Sequence, residues 1–156
     1  MNDAELRSLA DRLALERLVV DYAYAIDERA FERLDALFMP NAYIDYRAMG
    51  GIDGRWPQIR EWLPQALAIF PAYMHFNGNL RFDIDGDVAR GTIACFNPMV
   101  LPTVDGVPGE TMFLGLWYHD RYERSADGWR ISERIETRCY DFNTPEAFRQ
   151  AMRASR

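Results

Sequence analysis

Two acid–base side chains stand far apart in this chain and invite a chemical reading: Asp27, and His75 48 positions later. An imidazole titrates near neutral pH and can take a proton from a substrate if a neighbour fixes its tautomer; a carboxylate is the usual neighbour. Asp27 follows an apolar helical stripe by one residue, four after Ala23, so it sits at the edge of that stripe. It also falls near a helix C-terminus, where a carboxylate opposes the macrodipole. The plainer alternative is that Asp27 caps the next helix. His75 lies in AYMHFNGNLRFDI. Strict alternation groups it with Asn77, Asn79, Arg81 and Asp83, opposite the apolar Met74, Phe76, Leu80, Phe82 and Ile84. That parity turns His75 away from the core. Gly78 offers a release, because a glycine inside a strand often marks a bulge and a bulge resets parity.

Three further residues carry weaker signals. Tyr22 is on the apolar stripe and reads as a core tyrosine, except that its phenol points to the same side as Asp27. Arg138 stands in RIETRCYDF, where Arg130 and Arg134 share its parity. The three form either one exposed row or, if Arg138 enters an apolar cavity, a clamp on a polar substrate group. His119, in LWYHDRYER, reads as a surface or structural histidine, and Asp120, Arg121, Glu123 and Arg124 as a solvated strand end.

The elements that must position these groups follow from periodicity. Leu15, Leu18, Val19, Tyr22, Ala23 and Ile26 recur at helical spacing, and Asn2 or Asp3 can cap the start. A short second helix is predicted over 30–38, a short strand over 42–47, and a third helix over 57–70 opened by Pro57, with Pro64 as a kink or break. Beyond Pro71 three Asp-Gly dipeptides, at 85, 105 and 127, punctuate runs of aromatic and branched residues. They predict a meander of antiparallel strands over 72–84, 87–103, 110–124 and 129–142. A last helix restarts at Thr144-Pro145. Helices first and strands second make an α+β fold, read as one domain over 1–156. Helices on the concave face of a twisted antiparallel sheet leave one pocket.

Composition narrows the chemistry. The 156 residues carry a net charge of −6, which disfavours nucleic acid as a partner. All 18 basic residues are arginine, so no lysine can form a Schiff base or serve a phosphate loop. The four serines fall in no nucleophile elbow, and the two histidines and two cysteines (Cys95, Cys139) have no zinc-ligand spacing, so no metal is expected. No apolar run approaches the roughly 20 residues of a membrane span. The start MNDAELRSLA has no signal-peptide core, and a cytoplasmic setting is expected.

The segments YAYAID, LDALFMPNAYIDY, HFNGNLRFDIDGDVARG and GLWYHDRYERSADGWRISER together resemble the SnoaL-like branch of the nuclear-transport-factor-2-like superfamily, over about 6–142. The set Tyr22, Asp27, His75 and Arg138 resembles the bile-acid 7α-dehydratase pattern, with a Tyr five before the Asp and a His 48 after it. Lindane dehydrochlorinase shares that Asp-to-His separation, and scytalone dehydratase is a more distant likeness. The resemblance implies a cone-shaped, cystatin-like α+β barrel, no cofactor, proton abstraction with β-elimination, and a homo-oligomer, a trimer before a dimer. It implies His75 as base, Asp27 as its orienting partner, Tyr22 as a donor to a developing oxyanion or leaving hydroxyl, and Arg138 as a substrate contact. The activity so implied is a dehydratase-type lyase on a hydrophobic cyclic, steroid-like or polyketide-like substrate. Its rivals are a ketosteroid-isomerase-like enzyme and a non-catalytic small-ligand or protein-binding module.

Overall fold

The computed structural model describes residues 1–154; Ser155 and Arg156 lie outside the described residues. The apolar stripe becomes one long helix, α1 (Asp3–Asp27). Its start is a reciprocal capping box: the Asn2 side chain accepts the Glu5 N–H at 3.0 Å and Glu5 accepts the Asn2 N–H at 2.9 Å. Such a cap is typically worth about 1 kcal/mol. Its end is a left-handed cap. Arg29 takes φ 58°, the Arg29 N–H reaches the Ile26 carbonyl, and the Ala30 N–H reaches that of Ala25. The predicted second helix shrinks to a 3₁₀ turn, Phe31–Ala36, and Phe38 instead begins strand β1 (Phe38–Asp45). Next come β2 (Asp53–Arg55) and helix α2 (Trp56–Leu67), which continues through Pro64. Two-residue β3 (Ala72–Tyr73) precedes the meander β4 (Phe76–Asp85), β5 (Val88–Val100), β6 (Thr111–Ser125) and β7 (Gly128–Phe142). Helix α3 (Glu146–Ala154) follows.

The sheet runs β2-β1-β7-β6-β5, with β3 and β4 both pairing β5. The meander is antiparallel as expected, but β1 joins β7 in parallel, so the sheet is mixed. It curls into a half-barrel over α1 and α2. The core packs Leu15, Leu18, Val19 and Ile26 of α1 and Ile59 and Leu63 of α2 against Ile44, Ile93, Leu116 and Ile131 of the sheet.

Bulges decide which side chains enter. Arg81 pairs Thr92 while Gly78 pairs Ala94, so β4 holds one extra residue there, and Asn79 takes φ 48°. In β7, Ser132 and Cys139 are the extra residues: Tyr122 pairs Ile131 but Arg121 pairs Glu133, and Leu116 pairs Arg138 but Gly115 pairs Tyr140. The bulge at 132 overturns the reading of Arg130, Arg134 and Arg138 as one row. Trp129 and Ile131 face inward before it, Arg134 after it, and Arg130 is left on the outer side.

The same bulge corrects the reading of Asp120 as part of a solvated strand end. Asp120 and Arg134 are cross-strand neighbours, 3% and 0% exposed. Arg134 donates to both carboxylate oxygens, Nε at 2.9 Å and Nη2 at 2.6 Å, and the Tyr122 hydroxyl donates to Asp120 at 2.8 Å. The guanidinium lies 4.0 Å from the ring centre of Tyr22 and 4.1 Å from that of Tyr118. Removing one partner of a buried pair strands the other charge, at a cost of about 3–5 kcal/mol. Asp120→Ala is therefore expected to lower the unfolding free energy by about that amount, read as a fall in urea midpoint; a midpoint within error of the wild type would show that the pair is not structural.

Candidate functional site

Between the concave sheet and α1, α2 and α3 lies a cavity of about 330 Å³. Its wall is mostly apolar: Ile26, Trp62, Leu67, Phe70, Met99, Met112, Leu114 and Leu116, with Phe148 of α3 on one side. Gly51 lets the segment after β1 pass close by, since a Cβ there would meet the Trp62 ring at 2.8 Å and Tyr46 Cβ at 2.9 Å. Into this lining project six polar side chains: Tyr22, Tyr46, His75, Asn97, Tyr118 and Glu136.

His75 sits between β3 and β4 and belongs to neither ladder. The extra residue beyond Gly78 turns His75 and Asn77 inward while Leu80, Phe82 and Ile84 still pack on the core, as the glycine allowed. Asp27 caps no helix: no side-chain cap starts the 3₁₀ turn. Its two oxygens instead hold one residue, Oδ1 at 2.7 Å from His75 Nδ1 and Oδ2 accepting the His75 backbone N–H at 2.8 Å. A carboxylate only accepts, so the ring proton is on Nδ1 and Nε2 keeps its lone pair. The imidazole is flanked edge-on by Tyr22 and Tyr73, with ring centres at 6.3 and 6.1 Å. Asn97 steadies the preceding residue by donating from Nδ2 to the Met74 carbonyl at 2.8 Å.

Tyr22 is buried and its hydroxyl is 3.0 Å from that of Tyr46. Burial raises the pKa of both phenols, that of Tyr46 well above the ordinary range, although Arg134 beneath them pulls the other way. Both therefore remain neutral donors. Burial likewise pushes the Cys95 thiol up to about 12, which makes it inert as a nucleophile.

Sequence reasoning missed Glu136. It faces inward on β7, opposite Tyr118 in register and two residues from Arg134. Burial in the cavity wall raises its pKa well above the carboxylate range; Arg134 opposes that shift, and Asp45 and Asp120 add to it. Its parity with Arg138 was the available signal, but only the bulge at 132 fixes which face that parity means. Tyr46 and Asn97 gave no signal in sequence.

Arg138 lies on the inner face of β7 two residues beyond Glu136, toward α3. It is not among the residues lining the cavity; its Nη1 is 3.4 Å from Asp141 and 3.9 Å from the Met152 sulfur. His119 is on the outer face, exposed and bonded to Thr137 at 2.9 Å. Among the described residues no three His, Cys, Asp or Glu converge as a metal would require, and no helix is long and apolar enough to cross a membrane.

Comparisons with known proteins agree with this architecture. The profile of the SnoaL-like domain matches residues 7–135. Rv2910c of Mycobacterium tuberculosis is 52% identical over 132 residues, 85% of this chain and 88% of the relative. Among solved structures, LinA superposes with a TM-score of 0.76 at 24% identity, over 90% of this chain and 99% of that one. A protein of Novosphingobium aromaticivorans, described as a candidate scytalone dehydratase, superposes at 0.77 with 21% identity, over 88% and 90%. At these identities the two structures show the fold.

A raised carboxyl pKa has a sign that can be tested. Folded, Glu136 holds its proton to higher pH than in the unfolded chain, where it titrates in the ordinary carboxylate range. Its contribution is fully present below that range and is lost as pH rises through the folded value. Glu136→Gln removes this loss, so its thermal midpoint relative to wild type is expected to climb as pH rises from the ordinary carboxylate range upward. Calorimetry from that range upward checks it, and a constant gap is the contrary result.

Proposed function

This chain belongs to the SnoaL-like domain family, and from that premise we propose that it is a cofactor-independent lyase of the dehydratase type. The observation that carries the reading is the double hold of Asp27 on His75, with the imidazole in the wall of an apolar cavity. A binding site alone needs neither a tautomer-fixing carboxylate nor an oriented lone pair.

The substrate class is a hydrophobic cyclic hydroxy-ketone, steroid-like or polyketide-like, which matches the aromatic and aliphatic lining and a volume typical of small-molecule sites. His75 Nε2 takes the proton from the carbon beside the carbonyl. Asp27 accepts the Nδ1–H throughout and stabilises the imidazolium that forms. The Tyr22 hydroxyl, supported by Tyr46, donates to the enolate oxygen as charge develops there. The electron pair then forms the new carbon–carbon double bond as the β-hydroxyl departs. The imidazolium returns its proton to that hydroxyl, giving water, an enone and a neutral ring. Arg138, expected as a substrate contact, is paired with Asp141 outside the cavity lining and is given no role in this step. LinA and the N. aromaticivorans protein support the reading by what their descriptions name, a dehydrochlorinase and a candidate dehydratase on this fold.

The test is a screen of cyclic β-hydroxy-ketones for loss of water, followed by mass and enone absorbance. His75→Ala and Asp27→Asn are expected to lower kcat/KM by roughly 10²–10⁴-fold while the ketone product still binds. Tyr22→Phe is expected to lose on the order of 10²-fold, chiefly in kcat. Wild-type turnover in both His75→Ala and Asp27→Asn would overturn the proposal. Double-bond migration without loss of water would mark an isomerase, and binding without any turnover a ligand-binding protein.

A further inference from the structure

The Glu136 carboxyl has no partner. Among the described residues no N–H or O–H donates to it and no cation pairs with it, although it lies in the wall of the cavity. The guanidinium of Arg134 spends Nε and Nη2 on Asp120, and its buried Nη1 has no hydrogen-bond partner, Glu136 included. Glu136 is half-buried and its carboxyl meets the cavity, so the place for its hydrogen-bond partner is in the space a bound molecule would fill. Desolvation is the first influence on Glu136 and opposes charge; Arg134 favours it, Asp45 and Asp120 oppose it, and no arginine is among the lining residues. What remains is a carboxylic acid O–H opening onto an apolar space.

We propose that Glu136 is the ligand-recognition residue of this cavity: its protonated carboxyl donates a hydrogen bond to an uncharged oxygen of the bound molecule. The cavity thereby selects neutral carbonyl- or hydroxyl-bearing apolar molecules over matched hydrocarbons and excludes carboxylates. A hydrocarbon fills the space but leaves the acid unsatisfied. An anion brings a full charge into an apolar space whose lining includes no arginine. This inference rests on the cavity being the substrate site, as in the lyase reading, but it concerns binding and not proton abstraction, so the two can fail separately.

Three probes of one shape separate the terms: 2-acetylnaphthalene, 2-ethylnaphthalene and 2-naphthoate, titrated into the full chain by calorimetry or equilibrium dialysis. The wild type is expected to bind the ketone about 10-fold more tightly than either of the others. Glu136→Leu is expected to abolish the preference for the ketone over the ethyl compound, while Glu136→Gln, whose amide still donates, keeps it. Loss of the ketone preference in Glu136→Gln as well, an unchanged preference in Glu136→Leu, equal wild-type affinity for ketone and ethyl compound, or wild-type binding of 2-naphthoate as tight as the ketone would each overturn the proposal. The wild-type comparisons and Glu136→Gln keep it falsifiable if Glu136→Leu fails to fold. Failure of the lyase reading appears instead as absent turnover, with these affinity ratios in place.

Discussion

Everything in the cavity takes its position from one carboxylate that grips one residue twice. Asp27 is the last residue of α1, and its two oxygens hold the ring and the backbone of His75, which stands at the entry to β4. The grip joins the helical layer to the sheet where neither is regular. Neighbouring contacts lock the same corner. Arg29, in its left-handed cap, donates to the carbonyls of Leu67 and Phe70 and lies over the Tyr73 ring. The Tyr73 hydroxyl returns a bond to the Ile26 carbonyl at 3.1 Å. A positioned imidazole is thus the product of a helix end, a short strand and a loop tied into one knot. Such support keeps reactive groups within the narrow geometry that proton transfer needs.

Two carboxylic acids share this space with opposite hydrogen-bonding. Asp27 accepts two hydrogen bonds from one residue. Glu136 has no donor, and burial favours its neutral form. Side-chain type does not assign their roles; the number of N–H groups aimed at each does. Arg134 belongs to the same arrangement. It is a permanent cation under two neutral phenols, neutralised on its far side by Asp120, so it biases the tyrosines without opening to the cavity itself.

Much of this was legible in the residues. The stripe from Leu15 to Ile26 specified α1, the Asp-Gly pairs located the turns, and Gly78 marked the irregularity that lets His75 face inward. Other parts were not. Pro64 did not break α2, because a helix surrounded by tertiary contacts tolerates a lost backbone bond that an isolated one would not. Phe38 looked helical by spacing, yet it starts a strand that pairs in parallel with β7, a partner more than ninety residues away that no local pattern reveals. Arg134 read as a solvated charge because period-two alternation carries no mark of an inserted Ser132, whereas Asp120 shares its parity with buried Tyr118 and Tyr122 and read as solvated only because it is charged. For the same reason Glu136 passed unnoticed between two arginines.

The two supernumerary residues of β7 give this architecture an economical route to new chemistry. Between Ser132 and Cys139 the inner face receives Arg134, Glu136 and Arg138, while Ile135 and Thr137 lie on the outer one. Smoothing the first bulge, with Ser132 drawn into the ladder opposite Arg121 and the strand slipped by one residue, would turn that stretch over. The inner face would exchange Arg134, Glu136 and Arg138 for Glu133, Ile135 and Thr137, with no side chain replaced. Divergence among proteins of this shape can therefore proceed by slippage of a strand as well as by substitution, and two relatives with matching residues here may still present different walls to their ligands.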